Sequence, residues 1–98
     1  MPFPPEVNQF KLVRDRFAPL STTQRAQGEQ LIKALKVKLS EELYKFLDNP
    51  SEESMADMYE VMDCLTDRLK FSGLRIQQVK ERKGNFEGGY ELGLMIKK

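Results

Sequence analysis

Apolar side chains recur every three to four positions over two long stretches of the chain, the period of helices buried along one side. In the first stretch Leu31, Ile32, Leu35, Leu39, Leu43, Phe46 and Leu47 fall within a stripe roughly 160° wide at about 100° per residue. This predicts a helix that starts from the caps offered by Ser21, Thr22 and Thr23 and runs to about Asp48. Asn49-Pro50-Ser51-Glu52 reads as a stop and an immediate restart, with proline in a first turn and capping-box spacing from Asn49 to Glu52. The second stretch, with Met58, Val61, Cys64, Leu65 and Leu69 on its face, predicts a helix to about Phe71, ended by Ser72-Gly73. A shorter third helix is expected over about Leu74 to Arg82. Residues 1–8 are proline-broken and should be irregular, FKLVRDRFAPL is a short mixed segment, and residues 84–98 form a glycine-broken C-terminal arm.

A connection this short forces the two long helices into an antiparallel hairpin. The expected architecture is therefore all-α, a hairpin plus a short third helix, in a single domain over residues 1–98. A two-helix hairpin leaves part of its apolar face uncovered. A partner subunit that closes a four-helix core would cover it, so a homodimer or larger assembly is expected.

Each apolar face carries one carboxylate: Glu42 within the first stripe and Asp57 between the directions of Val61 and Cys64. Glu42 lies seven residues before Asn49 and Asp57 seven after Pro50. At a rise of about 1.5 Å per residue both stand roughly 10 Å from the turn, so they can face each other. Two ionised carboxylates in a partly buried cleft repel and are poorly solvated. A divalent cation resolves that strain; so does a neighbouring lysine or arginine, or exposure to solvent.

Composition narrows the chemistry. With 16 Lys and Arg against 15 Asp and Glu, the chain lacks the broad basic footprint that nucleic acid demands. There is no histidine, which removes the commonest general base and most zinc sites. Any metal would be held by carboxylates, which suits Mg²⁺ or Mn²⁺. The lone cysteine, Cys64, cannot form an intramolecular disulfide, which fits a reducing compartment. No stretch has the length and apolarity of a membrane span, and MPFPPEVNQF lacks signal-peptide character, so a cytoplasmic location is expected.

Four segments in order carry a resemblance. Lys11 to Asp15 reads KLVRD, the first long helix carries LKVKLSEELYKFL, the second carries ESMADMYEVMDCL, and the tail holds KERKGNFEGG. Together, from about Asn8 to Leu92, they resemble the MazG-like and phosphoribosyl-ATP pyrophosphohydrolase-like superfamily of all-α nucleotide pyrophosphohydrolases, in particular its small KLVRD-type members. The resemblance implies helices from two subunits packed together, and hydrolysis of a nucleoside triphosphate to a monophosphate and pyrophosphate. It also implies magnesium held by acids spaced E-x-x-E on one helix and E-x-x-D on the next. The cation neutralises phosphates and activates water.

Carried over to this chain, Glu42 matches the first glutamate and Asp57 the final aspartate, and both become the candidate catalytic and metal-binding residues. The two remaining positions hold Lys45 and Ser54, so that acidic layer is degenerate. Exchanging a glutamate for lysine shifts the local charge by two units, a severe change for a Mg²⁺ site. Glu53 and Glu60 share an edge of the second helix with Asp57 and could complete a shifted metal site. Alternatively Lys45 does the work of a cation, by pairing with a carboxylate or touching a phosphate. Lys11 and Arg14, three residues apart, would present two cations to a polyphosphate, with Asp15 positioning one of them. Lys83, Gly84 and Phe86 could close over the nucleotide, with Phe86 stacked on the base or else anchoring the tail. Two further functions compete with hydrolysis: a non-catalytic nucleotide binder, and a helical protein-interaction module.

Overall fold

The structure, a computed structural model, describes residues 11–17 and 24–98. The described residues form three α-helices, α1 (Gly28–Asp48), α2 (Glu52–Arg68) and α3 (Gly73–Glu87), preceded by a short 3-10 turn at Asp15–Phe17; there is no strand among them. The expected all-helical class is observed. No helix among the described residues is long and apolar enough to cross a membrane.

Residues 29–48 contain no glycine or proline and are rich in Leu, Lys and Glu, so α1 is favoured along its whole length. It begins at Gly28 behind Gln27, whose side chain makes no capping hydrogen bond. The expected caps Ser21, Thr22 and Thr23 lie outside the described residues, as does Pro19. At the other end Asn49 leaves the helix with φ −147° and ψ 81°, while its N–H still donates to the Lys45 carbonyl. Steric exclusion of the α region before Pro50 accounts for the break.

Helix α2 restarts two residues later than the sequence suggests. The cap is Ser51, not Asn49: its hydroxyl accepts from the Ser54 N–H at 3.0 Å, and the Ser51 N–H donates to the Ser54 hydroxyl at 3.1 Å. This is a reciprocal capping box with serine in the place usually held by Glu or Gln. The C-terminus also differs from expectation. Helix α2 stops at Arg68, and Lys70 takes a left-handed φ of 61° while the Phe71 N–H bonds back to the Thr66 carbonyl. Ser72 and Gly73 belong to the start of α3 instead, where the Ser72 hydroxyl accepts from the Arg75 N–H at 3.1 Å. Helix α3 runs on to Glu87, past the expected end at Arg82, and Gly88, with φ 81°, terminates it. The arm therefore begins at Gly88 rather than Gly84.

The expected hairpin forms, because α1 and α2 pack along each other. Its core is thin. Leu35, Met58 and Leu65 are buried, together with Glu42. Leu31, Ile32, Leu39, Phe46, Val61, Cys64 and Leu69 are half-buried. Leu43 and Leu47 are exposed, because one helix opposite α1 covers only part of so wide a stripe. Helix α3 buries none of its residues and has no extended packing against α1 or α2.

Helical phase gives the hairpin two unlike flanks. At about 100° per residue in antiparallel helices, Lys38 and Lys45 of α1 share a polar flank with Glu53, Asp57 and Glu60 of α2. Leu43 and Leu47 share the opposite flank with Met55, Tyr59 and Met62. A shallow apolar recess lined by Phe46, Met55, Ala56 and Tyr59 at the turn end marks this second side.

Candidate functional site

Glu42 is the one charged residue buried among the described residues, 4% exposed in the seam between α1 and α2. Two lysines of its own helix answer it. Lys38 Nζ lies 3.2 Å and Lys45 Nζ 3.5 Å from the same oxygen, Oε1. The i,i+4 and i,i+3 spacings bring these side chains onto one face. Lys38 also reaches Glu41 Oε2 at 3.4 Å, and its own side chain is largely covered. Its stem lies along the seam while its ammonium meets the carboxylates. The second oxygen of Glu42, Oε2, is buried and has no hydrogen-bond partner. An unsatisfied buried acceptor is uncommon and energetically unfavourable.

Asp57 stands at the edge of the seam rather than inside it, with its side chain 41% exposed. Its partner comes from the KLVRD segment. Arg14 Nη2 donates to Asp57 Oδ1 at 2.5 Å, while Nη1 lies 2.7 Å from Glu60 Oε2. One planar guanidinium thus bridges two carboxylates that stand three residues apart on α2. The hydrogen bond to Asp57 first, and that to Glu60 second, raises the pKa of Arg14 above its ordinary value. Of the two cations that Asp15 was expected to position, Arg14 or Lys11, Arg14 is held by Asp57 and Glu60.

Glu42 and Asp57 therefore sit at similar heights, six residues before the end of α1 and five after the start of α2, yet they have separate cations. The requirement that positive charge accompany both acids is satisfied from within the chain. No three acidic or sulfur side chains gather in a way that could hold a metal among the described residues. Of the suggested metal ligands, Glu42 is held by lysines, Asp57 and Glu60 by Arg14, and Glu53 is exposed one turn before Asp57.

The other candidates are scattered. Lys45 lies beside Glu42 with its side chain 59% exposed, so it can reach solvent-borne anions. Ser54 is used by the α2 cap. Lys11 is exposed at the start of the docked segment. Lys83 and Phe86 lie in the last turns of α3, and Phe86 is 85% exposed. Within one protomer Phe86 neither anchors the tail to the hairpin nor covers the polar flank, because α3 has no extended packing there.

Lys38 is the site residue that sequence reasoning passed over. Its signal was available, a lysine four residues before a glutamate predicted to face the core. The pairing of Arg14 with Asp57 and Glu60 had no comparable signal, since it joins segments more than forty residues apart. The more apolar recesses are elsewhere, at the hairpin turn and at the start of α3, and neither is lined by any of the candidate site residues. The polar flank is the chemically richer surface. No family model matches the chain, and no curated protein or solved structure does either.

Proposed function

We propose that the chain is a MazG-like nucleotide-binding protein whose reaction is hydrolysis of a nucleoside triphosphate to a monophosphate and pyrophosphate, with Mg²⁺ or Mn²⁺ arriving on the substrate. The observation that carries this reading is the free oxygen of Glu42, a buried carboxylate with one acceptor unsatisfied. Mg²⁺ commonly takes one or two protein carboxylates and fills its remaining positions with water and substrate phosphates. Glu42, aided by Asp57, fits that sparse arrangement. The residues do not fit a closed cage of four acids, because Lys45 and Ser54 replace two of them. A bound ion would supply charge neutralisation and an activated water.

The chain's own residues would do the rest. Arg14, Lys11 and the exposed end of Lys45 are the cations available to phosphate oxygens. Arg14 would exchange Asp57 and Glu60 for phosphate, and the two released carboxylates would then be free to orient water or metal. Nucleotide binding and metal binding are thereby coupled through one guanidinium.

The test is pyrophosphate release from a panel of ribo- and deoxyribonucleoside triphosphates with Mg²⁺ or Mn²⁺. Turnover should vanish in Glu42→Ala and Asp57→Ala. A flat result across the panel removes the enzyme reading.

A specific observation favours a second reading, binding without turnover: every buried or half-buried candidate acid already has a cation from the chain. An amine neutralises charge but does not generate hydroxide as a metal does. On this reading calorimetry shows nucleotide binding that EDTA leaves unchanged. A thermal-shift screen blank for every nucleotide would leave only the interaction-module reading.

Assembly belongs to the same proposal. The exposed Leu43 and Leu47 of α1, on the apolar flank, need a cover, and a second hairpin supplies it. Light scattering should give a dimer or larger at micromolar concentration.

A further inference from the structure

Helix α3 and the outer side of α2 are made of matching parts that do not meet in one protomer. On α2 the exposed Tyr59 and Met62 line up with Met55 in a strip at about 40–100° from the core direction of Met58. Glu52, Asp63 and Asp67, all exposed, border that strip on its outer side. Helix α2 as a whole is strongly acidic, with Glu52, Glu53, Asp57, Glu60, Asp63 and Asp67 against Arg68 alone. Arg14 neutralises only the opposite flank, at Asp57 and Glu60.

On α3, Ile76, Val79 and Phe86 fall within a strip about 80° wide, edged by Arg75 and Arg82 on one side and joined by Lys83. Ile76 and Phe86 are exposed, and the shallow recess formed by Phe71, Ile76 and Val79 faces solvent. The four basic residues of α3 meet only Glu81 and Glu87 in the same helix, and Glu81 accepts a bond from Gln77. One strip is apolar with an acidic border; the other is apolar with a basic border.

We infer that α3 of one copy docks on the Met55–Tyr59–Met62 strip of a second copy, and that the exchange is reciprocal. The basic edge of α3 then lies against Glu52, Asp63 and Asp67, and its apolar residues close the recess at the hairpin turn. Charge complementarity selects the orientation, and burial of the two apolar strips supplies the attraction. A two-fold arrangement uses both pairs of strips at once and closes, leaving no free arm to propagate a chain of copies. The connection at Phe71 and Ser72 holds α3 off its own hairpin, so the strip that α3 fits is offered by the partner. This contact rests on the assembly reading above and deepens it, since the strip lies on the same apolar flank as the exposed Leu43 and Leu47 that a second copy covers.

The experiment is a charge exchange in the full-length chain, with circular dichroism confirming helix content. Arg75→Glu/Arg82→Glu/Lys83→Glu and Asp63→Lys/Asp67→Lys should each weaken self-association by about ten-fold or more, as juxtaposed like charges do. A one-to-one mixture of the two variants should recover association, as heterodimers, to about the wild-type level. Rescue in the mixture excludes docking of α3 on its own α2, which cannot be restored by another molecule. A wild-type chain that stays monomeric at about 100 µM, far above the usual range of stable dimers, overturns this contact and the assembly reading together. A wild-type dimer indifferent to both charge reversals, or a mixture that fails to recover, overturns this contact alone.

Discussion

The hairpin and the helix that follows it are made from similar residues and end in opposite conditions. Helices α1 and α2 press Leu35, Met58 and Leu65 out of solvent and bring even a carboxylate, Glu42, with them. Helix α3 has comparable local signals, with Ser72 as cap and Gly88 as stop, yet buries nothing. Helical form is thus decided locally, by caps and propensity, over a stretch of fifteen residues. Membership of the core is decided by whether another apolar strip is within reach. For α1 the three-residue connection at Asn49–Ser51 supplies α2 as that strip. For α3 the protomer supplies none, which leaves its apolar side for another molecule.

The comparison breaks if the hairpin does not carry the stability. Leu35→Ala removes the most deeply covered apolar side chain of α1 and should destabilise by about 2–5 kcal/mol, as large-to-small core changes do. That is a large share of what a chain this short can muster. Urea denaturation followed by circular dichroism measures it, and a loss under about 1 kcal/mol would place the core somewhere else.

Glu42 sharpens the contrast within the hairpin itself. A buried ion pair with an unsatisfied oxygen is weaker support than packed hydrocarbon. Glu42→Leu should therefore raise stability by about 1–2 kcal/mol, while abolishing whatever nucleotide chemistry the site performs. A fall in thermal midpoint would mean that the two lysines more than offset the desolvation of the carboxylate. In that event Glu42 would be read as a structural residue.

What the sequence made legible follows the range of the interactions involved. The hairpin was readable because period, turn and capping signals all act within a few residues, as at Leu31 to Leu47 and Asn49 to Glu52. Boundaries slipped where two local signals competed: Ser51 with Ser54 outdid Asn49 with Glu52, and left-handed Lys70 ended α2 before Ser72-Gly73 could. The burial of Glu42 was readable from its place in the stripe. Asp57 was read as equally deep, and it is not: at about 100° round α2 from the buried Met58 it stands at the edge of the seam, with its side chain 41% exposed. That Arg14 would bridge Asp57 and Glu60 was not legible, since nothing local ties the KLVRD segment to the middle of α2.

The competing caps of α2 give the next test. Ser51→Ala loses the acceptor for the Ser54 N–H and should destabilise by about 1 kcal/mol. Asn49→Ala, at the position that the sequence alone favours, should change stability by under about 0.5 kcal/mol. If the two effects were reversed, the helix would begin at Pro50 in solution and the observed capping box would not govern it.

The smallest expected effect lies at the far end of the molecule and separates the protomer from its assembly. Phe86 is a large aromatic residue, 85% exposed, in the last turn of a helix that touches little of its own chain. In dilute solution Phe86→Ala should therefore leave the unfolding midpoint within about 0.5 kcal/mol of wild type, since no buried contact is removed. At concentrations where copies associate, the same substitution should lower association, because an aromatic residue is then taken from a buried strip. Stability measured at two protein concentrations checks both halves. A loss of similar size at each would show that Phe86 packs within one chain, and α3 would have to be placed with the hairpin rather than set against it.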